Sequence, residues 1–239
     1  MRTFNSYGPI NSKKHYYVPR EKLVKKCVYS LVGDPNESGH YFTIWGARQT
    51  GKTWLYRESI KDIINNYGDK FIVGEISMQG IVLEDNDNPT LVFLNNIQIL
   101  LHRAFSIKIE PVKSWIDLME LFTQDNGVFK KPLILIIDEF DKLPITLIDK
   151  FVSLFREMYL NRNRYMLHGL ALVGVRAVLG VESTSGSPFN IQRSLHVSNL
   201  SLNEVESMFT QYHEESKQNI EHLLSPMRIG LQVLCFLTI

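Results

Sequence analysis

The segment Gly46-Ala-Arg-Gln-Thr-Gly51-Lys52-Thr53 leaves this 239-residue chain few folds to choose from. It meets the pattern G-x-x-x-x-G-K-[ST] at every fixed position. A short β-prone run, Tyr41-Phe-Thr-Ile-Trp45, precedes it, and apolar residues at helical spacing follow, namely Tyr56, Ile60, Ile63, Ile64 and Tyr67. Strand, glycine-bearing loop and helix in that order form a cradle for phosphate. Gly46 and Gly51 let the loop wrap so that the backbone N–H groups of Ala47, Arg48, Gln49 and Thr50 point inward. The helix opening near Gly51, with Trp54 in its first turn, adds unpaired N–H groups and a positive dipole end. Lys52 is spaced to reach the terminal phosphates as a point charge, and the Thr53 hydroxyl to ligate Mg²⁺. Arg48 is expected to face solvent, because the loop uses its backbone there.

A second segment completes the chemistry. Leu133-Ile-Leu-Ile-Ile137 is unbroken apolar sequence, as expected of a central parallel strand buried on both faces, and it ends in Asp138 and Glu139. Two carboxylates at the carboxyl end of such a strand face the ligand crevice of an α/β sheet. Asp138 is read as a Mg²⁺ ligand acting through water, and Glu139 as the group that orients and deprotonates a water attacking the γ-phosphate. Asp141 reads as a loop or cap residue rather than a ligand. The 86 positions between Lys52 and Asp138 leave room for an additional strand and helix between the motifs. No Asn-Lys-x-Asp guanine-reading motif occurs, so ATP is the expected nucleotide.

The remaining pattern alternates strands and helices. Phe71–Ser77, Gly169–Val173 and Leu195–Val197 read as strands; Thr90–Phe105, a stretch opened by Pro144, and one opened by the capping-box pattern Ser201-Leu-Asn-Glu204 read as helices. Glu84-Asp-Asn-Asp-Asn88 reads as a solvated loop. This predicts an α/β fold: a P-loop NTPase three-layer αβα sandwich around a mainly parallel five-stranded sheet of the additional-strand type. The expected division is 1–30 as an N-terminal segment, 31–198 as the P-loop core and 199–239 as the start of a helical lid.

Composition narrows the setting. Twenty-six Lys+Arg against 25 Asp+Glu give a formal charge of +1, so nucleic acid is not expected as the main partner. Cys27 and Cys235 lie 208 positions apart, which is neither a disulfide framework nor a zinc spacing, and a reducing cytoplasmic setting fits. No run of about 18 apolar residues exists, and no membrane partner is expected.

Taken together, Tyr17-Val-Pro-Arg20, Trp45 through Thr53, Ile137-Asp-Glu-Phe-Asp141 and Leu172-Val-Gly-Val-Arg176 resemble the bacterial AAA-like ATPase domains. These are relatives of the STAND ATPases and of the archaeal ATPases of the AAA+ class. Phe189-Asn-Ile-Gln-Arg193 and Leu202–Phe209 look like the same family. The resemblance implies that Tyr17 and Arg20 lie near the adenine, an ordinary surface segment being the other reading. It also implies that Arg176 senses the γ-phosphate, with a structural salt bridge as the competing role. It departs from the pattern at the end, where a lid motif gives way to an apolar tail. A truncated lid and self-association through residues 229–239 are the expectations there.

The function implied is Mg²⁺-dependent ATP hydrolysis by a nucleotide-controlled switch, with ATP and ADP as ligands and a protein effector of unknown identity. Two alternatives stay open: an ATP/ADP-binding module without turnover, and an origin-recognition-like DNA-binding ATPase.

Overall fold

The computed structural model describes residues 1–5, 8, 10–82, 88–175 and 194–219. Two compact units make up the chain: Lys22–Val197, and a smaller one formed by Met1–Glu21 with the chain from Ser198 onward.

The larger unit is built on a five-stranded sheet. In chain order its elements are α1 (Glu21–Val32), β1 (Tyr41–Trp45), α2 (Lys52–Tyr67), β2 (Ile72–Ser77), α3 (Pro89–Phe105), α4 (Trp115–Glu120), β3 (Leu133–Asp138), α5 (Ile145–Leu160), β4 (Leu167–Gly174) and β5 (Ser194–His196). The strands lie in the order β2-β3-β4-β1-β5, and every pairing is parallel. The unbroken apolar run of β3 is explained by its place inside the sheet. Leu133, Leu135 and Ile137 enter the core beneath α3, α4 and α5, while Ile134 and Ile136 enter the one beneath α1 and α2. The alternation is the period-2 geometry of a strand with helices on both faces. The three-layer αβα sandwich and its parallel five-stranded sheet are therefore as expected.

The strand expected between the two motifs in sequence is β2, which lies at one edge of the sheet, while β4, which follows both motifs in the chain, lies between β1 and β3 in space. Other details differ from expectation. Two helices, α1 and α4, fall outside the sequence expectation. The apolar stripe of α2 is rotated, with Leu55, Tyr56, Ser59 and Ile63 buried and Ile64 half-exposed. Pro144 caps α5 from outside the helix rather than opening its first turn. Asn88 holds the corresponding position before α3 but, unlike Pro144, caps with its side chain, whose oxygen accepts from the amides of Thr90 and Leu91.

In the smaller unit, α6 (Leu202–Ser216) begins with the capping box expected at Ser201 and Glu204, both halves of which are made. The N-terminal segment meets this helix through Phe4, whose ring lies 5.0 to 5.5 Å from Tyr16, Phe209 and Tyr212. Glu215 accepts from Arg2 and from the Tyr16 hydroxyl. Among the described residues no helix is long and apolar enough to cross a membrane.

Candidate nucleotide site

The carboxyl ends of the parallel strands β1 and β3 bring the phosphate loop and the Asp138–Glu139 pair together at one end of the sheet. At the end of β1, Trp45 stacks on His196 of β5 with ring centroids 4.1 Å apart. Gly46 follows, buried against the exit of β5: a Cβ there would lie 2.3 Å from the Val197 carbonyl oxygen. Only glycine permits that approach. Ala47, Arg48 and Gln49 are exposed, Arg48 as expected. Gln49 has φ 62° and Gly51 φ 90°, two left-handed residues that turn the loop back on itself. Thr50 closes it by donating its hydroxyl to the Ala47 carbonyl at 3.0 Å.

Helix α2 starts directly after Gly51, and no side chain caps its N-terminus. The first N–H groups of a helix have no intrahelical acceptor, and a glycine cap offers none. That end is suited to anionic oxygen. Lys52 curls over the loop and donates to the carbonyls of Gly46 (2.8 Å) and Ala47 (2.7 Å). Its partial burial lowers its pKa, with the carboxylates of Asp138, Asp141 and Glu139 pulling the other way. The charge is thus stored at the mouth of the loop. Trp54, in the first turn, is half-buried.

Thr53 and Asp138, 85 residues apart, meet here: the threonine hydroxyl is 3.4 Å from Asp138 Oδ2. The same oxygen accepts the Tyr56 hydroxyl at 2.8 Å, and Oδ1 accepts the Glu139 amide at 2.8 Å. Burial raises the Asp138 pKa, while these hydrogen bonds oppose the rise. A hydroxyl and a carboxylate are hard oxygen donors, and one or two of them with phosphate and water are what Mg²⁺ accepts. The donor set therefore fits that cation. Glu139 stands in the left-handed region (φ 56°), and its carboxylate pairs with Lys142 at 3.1 Å.

Asp141 joins neither the loop nor Asp138. Its Oδ2 accepts the Val175 amide at 2.8 Å, its Oδ1 is buried with no partner among the described residues, and its carboxyl packs on Gly174 so closely that a Cβ would come within 2.9 Å. It ties the turn after β3 to the end of β4, in keeping with a loop or cap residue.

Sequence reasoning did not find Tyr56 as a partner of Asp138. The signal was present, since Tyr56 sits at i+3 from Thr53 and so shares its helix face. Nor did it find the Arg57–Glu75 ion pair (2.6 Å) that links α2 to β2.

Arg176 lies outside the described residues, as do Phe189–Arg193 and the tail expected to self-associate. Tyr17 and Arg20 belong to the smaller unit. Arg20 pairs with Glu204 at 2.9 Å and donates to the carbonyls of Ser198 and Asn199, while the Tyr17 carbonyl accepts from Gln211.

Among solved structures, the chain resembles Drosophila ORC bound to DNA with a TM-score of 0.55 at 15% identity, over 83% of this chain and 50% of that one. It resembles Cdc6p from Pyrobaculum aerophilum with a TM-score of 0.53 at 20% identity, over 81% of this chain and 50% of that one. The Aeropyrum pernix ORC1 protein in complex with DNA gives 0.50 at 13% identity, over 83% and 50%. The shared fold is the P-loop NTPase three-layer αβα sandwich around an all-parallel five-stranded sheet. At these identities the likeness is one of fold, and the chain spans about half the length of each of these proteins. No protein family and no curated protein matches the sequence.

Proposed function

We propose that this chain binds ATP with Mg²⁺ and hydrolyses it, and that the nucleotide state switches an attached partner. The observation that carries the reading is the meeting of Thr53 and Asp138 beside an uncapped helix N-terminus and a lysine lying across the loop. Each part suits one portion of a nucleoside triphosphate. The amides of residues 46–53 and the ammonium of Lys52 bind phosphate oxygens, and Lys52 exchanges its two carbonyl partners for them. Thr53 and Asp138 hold the cation, which when bound supplies charge neutralisation for the β- and γ-phosphates. Glu139 turns from Lys142 to accept a proton from water lined up for attack. Arg176 is assigned the γ-phosphate and Tyr17 with Arg20 the base; these three assignments, like the STAND-type subgroup, rest on the resemblance of their motifs.

Phosphate release from Mg²⁺-ATP by the purified chain, with Glu139→Gln in parallel, tests the reading. Turnover in the parent and its loss in the variant is the expected outcome. Binding without turnover in both would reduce the protein to a nucleotide-binding module.

A second reading is favoured by the fold neighbours, two of which are DNA complexes. In it the chain contributes an ATP-controlled half to a DNA-binding protein, and the near-zero net charge no longer argues against nucleic acid. Duplex binding that weakens with salt in proportion to the phosphates neutralised would support it.

A further inference from the structure

We infer that Tyr56 is a positioning residue for the carboxylate that holds the metal, an assignment that rests on the proposed role of Asp138. Helix α2 carries Lys52, Thr53 and Tyr56 within its first five residues. Thr53 and Tyr56, three apart, project from one face toward the end of β3. The Tyr56 ring is 2% exposed and packs in the core formed by α1, α2 and the sheet. Its position is therefore set by packing, and only its hydroxyl reaches the site.

That hydroxyl donates to Asp138 Oδ2 at 2.8 Å. Together with the Glu139 amide on Oδ1, it holds the carboxylate at both ends and fixes its plane. A half-buried carboxylate without a cation is costly unless donors satisfy it, and here the two short donors are the Glu139 amide and the phenol, with the Thr53 hydroxyl at 3.4 Å. A carboxylate oxygen has two acceptor sites: on Oδ2 Tyr56 holds one at 2.8 Å and the Thr53 hydroxyl the other at 3.4 Å, and it is the longer, Thr53 contact that a cation held by both residues would replace. The phenol is directed at the same carboxylate that the Thr53 hydroxyl meets.

Outer-shell partners of this kind orient a ligand and tune its affinity, and their loss typically weakens metal binding about 10- to 100-fold. Tyr56→Phe keeps the ring and removes only the oxygen, so folding is retained. The test uses the whole chain and measures ATP binding in EDTA and then across a Mg²⁺ titration, with thermal unfolding alongside. The expected result is an unchanged ATP affinity in EDTA and a Mg²⁺ midpoint raised about 10-fold or more. In an Asp138→Asn background, adding Tyr56→Phe should move the midpoint no further. Direct Mn²⁺ binding followed by electron paramagnetic resonance gives a second readout without turnover.

A Mg²⁺ midpoint equal to that of the parent would overturn the inference. So would an equal loss of affinity in EDTA, which marks a structural role. If the parent binds Mg²⁺-ATP and Asp138→Asn weakens it while Tyr56→Phe does not, this inference alone fails. If the parent shows no Mg²⁺-dependent nucleotide binding, the proposed function fails and takes this inference with it.

Discussion

Replacing Gly46 with alanine separates packing at the phosphate loop from its backbone chemistry. The added Cβ would lie 2.3 Å from the Val197 carbonyl oxygen and 3.0 Å from the Thr50 hydroxyl, where ordinary contact begins at 3.4 Å. The shortfall against the carbonyl is 3.4 − 2.3, or about 1.1 Å. The obstacle is backbone and cannot rotate away. It is also tethered, since the Val197 amide donates to the Trp45 carbonyl at 2.8 Å, and opening the gap strains that bond. Overpacking of this kind costs about 1–3 kcal/mol. For a chain of this size each kcal/mol lowers the melting temperature by about 2–4 °C, so a fall of roughly 2–12 °C is expected. Thermal unfolding by circular dichroism reads it directly.

Two further glycines serve as controls. Gly80→Ala meets nothing within 4 Å and needs no left-handed backbone, so it should melt with the parent. Gly51→Ala also meets nothing within 4 Å but sits at φ 90°. Its cost is conformational, about 1–2 kcal/mol, and should appear together with weakened ATP binding, because the loop turns there. A Gly46→Ala protein that melts with Gly80→Ala would refute the close-approach argument.

Asp138→Asn should raise the melting temperature of the nucleotide-free chain at neutral pH while weakening the additional stabilisation by Mg²⁺-ATP. Burial raises the Asp138 pKa, so its stabilising protonated form is fully present below the unfolded value and is lost as pH rises through the folded one. The gap between variant and parent should therefore close on acidification, and a gap that widens would contradict the sign. Asparagine keeps the contacts satisfiable, its amide oxygen taking the Glu139 N–H while the Tyr56 hydroxyl turns to accept. Ile136→Ala, in a strand buried on both faces, should cost about 2–5 kcal/mol in urea unfolding; a loss under about 1 kcal/mol would mean the site collapses around the cavity. Burial pushes the Cys27 thiol up to about 11, so peptide mapping after alkylation at mildly alkaline pH should find it unmodified in the native protein and modified in urea. Native-state labelling would show that α1 opens from the sheet.

The two motifs were legible because each is local. Gly46 through Thr53 prescribes a backbone turn followed by a helix start, and the apolar run ending at Asp138 prescribes a strand buried on both faces. Capping at Ser201 was readable for the same reason, both of its hydrogen bonds spanning three residues. The helix α4 was not, because six residues give no period to recognise. In α1 the apolar stripe of Leu23, Val24, Cys27 and Leu31 is present, but Lys22, Lys25 and Lys26 surround it and the segment reads as charged surface.

The order of the strands could not be read locally. A pattern of apolar residues says that β4 is buried but not that it slots between β1 and β3, because that choice is made by which faces the helices can cover. The same holds for the contacts that shape the site: Tyr56 with Asp138 across 82 residues, Asp141 with the Val175 amide across 34, and Arg20 with Glu204 across 184 in the smaller unit. Sequence by itself determined the phosphate loop, the acidic strand end and the α/β class, since these follow from backbone geometry and residue period over a few positions. Tertiary structure alone decided which hydroxyl holds the Asp138 carboxylate, since a hydrogen bond between distant residues exists only once packing has brought their elements together.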